Sequence, residues 1–138
     1  MIYNKNFSIL IIYNENFEIF AHNRKSISKV GEEWGLFGGS LETGESFEEA
    51  LIRETKEELD IDITGKYKYI GNTIFELEGH GVQKTNIYVV NFSNIDMSQI
   101  NVLEGDFGEF ISLENLSKKK VTFWVHICLD ILKTYFKL

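Results

Sequence analysis

The residues most able to do chemistry lie together. Between Gly38 and Asp62 the chain reads GGSLETGESFEEALIRETKEELDID, nine carboxylates against only Arg53 and Lys56. That surplus equals the formal charge of −7 for all 138 residues, so the rest of the chain is balanced. Acidity confined to one segment of a neutral protein points to a place for cations rather than to general solubility. Glu54, Glu57 and Glu58 stand at i, i+3 and i+4, and on a helix they project from one face within reach of one another. Like charges at this spacing cost about 0.2–0.5 kcal/mol per exposed pair, and more where water is excluded, so something has to offset them. Three carboxylates converging on one point suit a hard divalent ion such as Mg²⁺, with Mn²⁺ able to substitute, because both take oxygen ligands. Spacing alone leaves a second reading open: a solvated surface helix in which Glu49 with Arg53 and Arg53 with Glu57 form ordinary i,i+4 pairs.

The elements that must hold these residues are readable nearby. Ser46 followed by Glu49 has the spacing of a capping box, which predicts a helix from Phe47 to about Leu59. Ahead of it, Gly38, Gly39 and Gly44 let the backbone turn tightly and approach a ligand, with amides directed at an anion.

These residues carry a resemblance. From Gly39, five residues lead to Glu45, seven more to Arg53-Glu54, and two further to Glu57-Glu58. This resembles the Nudix box, G-x5-E-x7-R-E-U-x-E-E-x-G-U, where U is aliphatic. Outside the box, NENFEIFAHNR is similar to the second-strand region of MutT-like members, WGLFGG to their W-x-x-P-G-G approach, and EGDFGEFISL to the segment that supplies a late acidic ligand. Thr55 departs from the aliphatic position, Asp60 from the glycine that ends the helix, and Phe37 from a frequent proline. Asp tolerates positive φ better than most residues, so the second departure implies little strain.

The resemblance implies an α+β fold, a Nudix-type α/β/α sandwich with a central mixed β-sheet. It also implies Mg²⁺-dependent hydrolysis of the pyrophosphate linkage in a nucleoside diphosphate derivative, such as a nucleoside triphosphate, by water attack on phosphorus. Glu54, Glu57, Glu58 and Glu104, with the carbonyl of Gly38, are then the metal ligands. Glu54 and Glu57 are catalytic, and Glu54 or Glu104 serves as general base, Glu104 from a glycine-rich loop able to move. On this reading Gly39 and Glu45 shape the substrate loop, Arg53 pairs with Glu45 and positions that loop, and Arg24 with Lys25 steadies the phosphates. A non-catalytic nucleotide-sensing module on the same fold is the alternative. An isomerase on this scaffold needs a catalytic cysteine, and Cys128 is poorly placed for that.

The remaining sequence frames one domain over residues 1–138. A hydrophobic share of 43% with charge spread along the chain is that of a packed, soluble protein. FSILIIY (7–13) and FEIFAH (17–22) around the turn NEN predict a β-hairpin. IDITGKYKYIGNTIFELEG and VQKTNIYVVNF, broken at Gly79-His80-Gly81, predict a second strand pair, and EFISL a short strand. Near the C-terminus Phe123, Trp124, Ile127, Cys128, Ile131, Leu132 and Tyr135 fall at helical spacing and are expected in the core. Cys128 reads as a buried, inert thiol. His22, His80 and His126 lack metal-ligand spacing and read as structural or exposed. Lys118–Lys120 read as a solvated cap before the last helix, so no nucleic-acid polymer is expected. No stretch is long enough to span a membrane, and the N-terminus lacks a basic segment followed by a cleavable apolar one. The expectation is a cytoplasmic monomer or homodimer acting on a small nucleotide.

Overall fold

Leu10, Ile11 and Ile12 have no exposed surface, and consecutive burial of this kind requires a strand covered on both faces. The computed structural model describes residues 5–29, 31–77, 81–103, 105 and 107–138. In chain order these form β1 (Lys5–Tyr13), β2 (Ile19–Asn23), β3 (Trp34–Gly35), β4 (Phe37–Ser40), α1 (Phe47–Leu59), β5 (Lys68–Leu77), β6 (Gly81–Asn91), β7 (Gly108–Ile111), α2 (Leu113–Ser117) and α3 (Phe123–Phe136). The strands make one mixed sheet. β1 runs parallel to β6 and antiparallel to β2 and β4, β5 completes one side, and β3 and β7 flank β2.

Side chains alternate across β1 and separate two cores. Leu10 and Ile12 pack with Leu51 and Leu59 of α1, with Phe37 and with Ile63. Ile11 packs with Val125, Leu129 and Leu132 of α3 and with Leu116 of α2. The result is the expected sandwich, with helices on both faces of the sheet.

Two expectations need correction. The strand foreseen from Ile61 starts only at Lys68. Asp62 Oδ1 accepts from the Thr64 N–H at 2.9 Å and the Thr64 hydroxyl at 2.6 Å, and this local bonding turns the chain before the ladder begins. The face of α3 is also rotated: Val125, Cys128, Leu129 and Leu132 are buried, whereas Phe123 is 51% exposed. Phe123 instead stacks on Trp124 with ring centres 4.4 Å apart and meets Phe75 edge-on at 5.4 Å. The lysine run is exposed as expected at Lys118 and Lys120, and follows a short helix, α2, that was not foreseen. There Lys118 Nζ donates to Glu114 Oε1 at 3.0 Å. Cys128 is buried, and desolvation pushes its thiol up to about 12, as an inert thiol requires. Gly79 and His80 lie outside the described residues, while Gly81 opens β6.

Candidate active site

The capping box forms as read. Ser46 Oγ accepts from the Glu49 N–H at 3.1 Å, and Glu49 Oε1 accepts from the Ser46 N–H at 3.1 Å. The helix ends at Asp60, which takes φ 60° and donates its N–H to Lys56 O at 3.0 Å. Asp therefore fills the left-handed position where the box usually has glycine. Ala50, Leu51, Thr55 and Leu59 are buried, which sets the register and leaves the acidic residues along the helix edge beside β4.

Arg53 ties that edge to the preceding loop. Its Nε donates to Glu45 Oε2 at 2.7 Å and its Nη2 to Glu45 Oε1 at 2.9 Å, a two-pronged pair. Nη2 also donates to Ser40 O at 3.0 Å, and Nη1 to Glu54 Oε1 at 2.9 Å and Glu57 Oε2 at 3.2 Å. Glu45 Oε1 in turn accepts from the Glu42 N–H at 2.8 Å. These bonds, the Arg53 side chain first, hold the Glu45 carboxyl down at about 2, while Glu45 raises Arg53 above its already high value. The pairing of Arg53 with Glu45 read from sequence is thus present.

Gly38 is required by its backbone, and Gly39 leaves room for the Glu54 carboxylate. A Cβ on Gly39 would stand 2.5 Å from Glu54 Oε1 and 2.8 Å from Oε2, so the carboxylate lies directly against this backbone. Gly38, at φ 134°, donates its N–H to Glu58 Oε1 at 2.7 Å, and a Cβ there would meet Ser8 O at 2.1 Å. Glu54, Glu57 and Glu58 do share one helix edge, but Glu54 and Glu57 are both bonded to Arg53 while Glu58 accepts from Gly38. Among the described residues no three His, Cys, Asp or Glu side chains come together closely enough to hold an ion unaided. Arg53 stands between Glu54 and Glu57, and Glu58, 4% exposed, is turned to Gly38. The guanidinium offsets part of the negative charge of the clustered carboxylates. The donors on this edge are all oxygens, with a glycine backbone leaving room beside them, and this set fits Mg²⁺ or Mn²⁺ and not a soft metal.

Glu104 lies outside the described residues, as does Asp106. The described residues around them are anchored. Asn101 N–H donates to Leu59 O at 3.0 Å and Leu103 N–H to Glu58 O at 2.9 Å, at the end of α1 that carries the glutamates. Beyond them Asn23 N–H donates to Phe107 O at 2.8 Å, and Gly105, at φ 80°, sits so close to His22 that a Cβ would be 2.4 Å from Nε2. His22 is wholly buried and stacked on Phe37 at 4.9 Å, a wedge under this segment that no sequence spacing announced. Phe37, in place of the frequent proline, is a core residue.

Across the sheet a cleft of about 300 Å³ opens on the α3 side, floored by Phe7, Ile9 and Leu36 and walled by Trp34 and Trp124. Ile9 pairs with Gly38 in the ladder, so cleft and acidic edge meet at the β4 glycines. Arg24 is found in this cleft beside Glu32, Nε to Oε1 3.6 Å, together with Gln83 and Thr85. Glu32, Gln83 and Thr85 were not singled out beforehand, because residues so far apart in sequence share no local pattern.

Known proteins place this arrangement. The family model described as NUDIX domain matches residues 3–126. An mRNA-decapping protein of monkeypox virus is 34% identical over 114 residues, covering 75% of this chain and 53% of that protein; the chain spans about half the length of such viral relatives. In solved structures, the ORF135 protein of E. coli superposes with a TM-score of 0.76 at 21% identity, covering 96% of this chain and 91% of that one. The MutT protein of Methanosarcina mazei Go1 does so with 0.73 at 20% identity, covering 99% and 95%. With the box residues held as described on a matching fold, this chain belongs to the NUDIX family.

Proposed function

We propose that this enzyme hydrolyses the pyrophosphate linkage of a small nucleoside diphosphate derivative, such as a nucleoside triphosphate, in a reaction that requires Mg²⁺. The observation that carries the reading is the Glu54 carboxylate lying against the Gly38–Gly39 backbone beside Glu57 and Glu58. Glu54, Glu57, Glu58 and the Gly38 carbonyl would hold the ion, with Glu104 as the late ligand. When bound, the ion neutralises the diphosphate so that an anionic substrate can approach an anionic edge.

The chain's own residues do the rest. Arg53, latched to Glu45 and Ser40, holds the loop that faces the substrate and keeps Glu54 and Glu57 on one side. A carboxylate oxygen of Glu54 takes the proton of the attacking water, with Glu104 as the other candidate base. The water oxygen bonds to phosphorus, the bridging P–O bond breaks, and its electron pair leaves on the departing phosphate. The nucleoside occupies the cleft on the α3 side, where Arg24 lies beside the base rather than over the acidic edge. The enzyme acts in the cytoplasm, as a monomer or homodimer.

A pure nucleotide sensor would have no use for three mutually repelling glutamates, which favours catalysis over sensing. The test is release of phosphate or pyrophosphate, with Mg²⁺, from nucleoside triphosphates, dinucleoside polyphosphates, nucleotide sugars, NADH and, in view of the viral relatives' name, a capped dinucleotide. One of these is expected to turn over, and Glu57→Gln and Glu58→Gln to lower kcat by about 10² or more with the fold unchanged. Unaltered turnover in both variants would reject the assignment.

A further inference from the structure

His22 has no exposed surface, and its surroundings tie it to two sides of the acidic site. It sits in β2 between two glycines, Gly35 of β3 and Gly108 of β7, so neither cross-strand neighbour sets a side chain beside its ring. The imidazole stacks on Phe37, with ring centres 4.9 Å apart and 18° between the planes. Phe37 stacks in turn on Phe20 at 5.7 Å, and the row of three rings ends at His22. Against that end lies Gly105, at φ 80°, where a Cβ would stand 2.4 Å from Nε2 and 3.2 Å from Cε1. Only glycine brings its backbone this close in such a conformation.

The ring thereby closes a circuit of contacts. Phe37 precedes Gly38, whose N–H donates to Glu58 Oε1 at 2.7 Å. Glu58 O accepts from the Leu103 N–H at 2.9 Å, and two residues on, Gly105 meets His22. Phe107 O, accepting from the Asn23 N–H at 2.8 Å, ties the chain on the other side of Gly105. Backbone bonds thus fix Leu103 and Phe107, while between them the imidazole stands under Gly105.

We propose that His22 is a positioning residue for the divalent ion: its ring sets the spacing between the Gly38–Glu58 pair and the chain through Leu103 and Gly105, and so sets how tightly the ion is held. The inference rests on the metal-dependent reading above. His22 ligates nothing itself, because Nε2 faces the Gly105 backbone. Packed interiors have little slack, so loss of the ring leaves a void into which β4 or the Gly105 chain has to move. Groups that hold metal ligands in place from behind typically matter by about tenfold to a hundredfold in metal affinity. Core packing by itself acts differently: it lowers stability and leaves the affinity of the molecules still folded unchanged.

The experiment titrates Mn²⁺ calorimetrically into the unaltered chain, His22→Ala, His22→Gln and Gly105→Ala, each well below its Tm. The Mg²⁺ concentration giving half-maximal turnover is measured beside it. His22→Ala is expected to weaken Mn²⁺ binding and to raise the half-maximal Mg²⁺ concentration by about tenfold or more, with kcat at saturating Mg²⁺ changed less. Gly105→Ala, which pushes the chain off the ring instead of removing the ring, is expected to shift both in the same direction. Glutamine reaches about as far as Nε2, so His22→Gln should keep most of the affinity that alanine loses. Unchanged Mn²⁺ affinity in His22→Ala, whatever its Tm, would overturn the inference, as would a loss in His22→Gln equal to that in alanine. Should His22→Ala not fold, unchanged affinity in Gly105→Ala decides against it equally. An unaltered chain that takes up no Mn²⁺ would sink the metal-dependent reading and this inference with it, a failure told apart from the others because it needs no variant.

Discussion

Arg53 shows how far single residues could be read from the sequence. Its pairing with Glu45 followed from the spacing of the box, because loop and helix have to be joined somewhere and a guanidinium grips a carboxylate with two bonds. Its i,i+4 pair with Glu57 was open from spacing, but its bond to the adjacent Glu54 did not follow, since which neighbours a long side chain reaches depends on its rotamer. The Glu45 pair has a consequence in acid. Glu45 titrates at about 2 in the folded protein against an ordinary value of 4.5, so the folded state favours its charged form. The stabilisation is therefore fully present above about pH 4.5 and is lost as pH falls towards 2. In Glu45→Gln this part of the pH dependence should vanish, so urea midpoints measured from pH 5 down to 2 should fall less steeply than in the unaltered protein. Parallel curves would show that the latch is not what titrates.

At the scale of elements, α1 was legible almost to the residue because its capping box is a local device, whereas the inward face of α3 was read slightly turned: Cys128 and Leu132 are buried as expected, but Val125 and Leu129 stand where Phe123 was expected. Aromatics at helical spacing mimic a core stripe. Here Phe123 has Phe75 and Trp124 as partners near the surface, and smaller residues at Val125, Cys128 and Leu129 meet the sheet. The departure at Thr55 within α1 can be weighed directly. Thr55 is wholly buried, and its hydroxyl has no hydrogen-bond partner among the described residues. An unmet buried hydroxyl costs about 1–3 kcal/mol, and valine has the same shape without it. Thr55→Val is thus expected to raise stability by about 1 kcal/mol, or roughly 2–5 °C in Tm, without loss of activity. A lower Tm would mean that the hydroxyl is satisfied, for example by a buried water.

For the molecule as a whole, the layered arrangement was legible from strands bracketed by amphipathic helices, but the sheet order was not. The central parallel pairing of β1 with β6 joins Ile9 to Ile87, and nothing local encodes a partner so distant. The cleft escaped notice for the same reason, as Phe7, Arg24, Gln83 and Trp124 meet only once the sheet is assembled. Charge is the property that was readable at this scale, since the net −7 resides in the box segment. Folding draws that charge onto one edge of α1, where Arg53 offsets it only in part. A divalent ion held there binds the folded chain and not the unfolded one, so it should stabilise by mass action. At about 100 times its dissociation constant the gain is about 2.7 kcal/mol, which for a domain of this size raises Tm by roughly 5–10 °C. Simple screening of the acidic edge would also raise Tm, but Na⁺ at equal ionic strength would then do as well. The expected outcome is a rise that saturates with Mg²⁺ or Mn²⁺, is absent with matched NaCl, and is much reduced in Glu57→Gln. Equal shifts with Mg²⁺ and matched NaCl would show that ions only screen this edge and that no ion is held there.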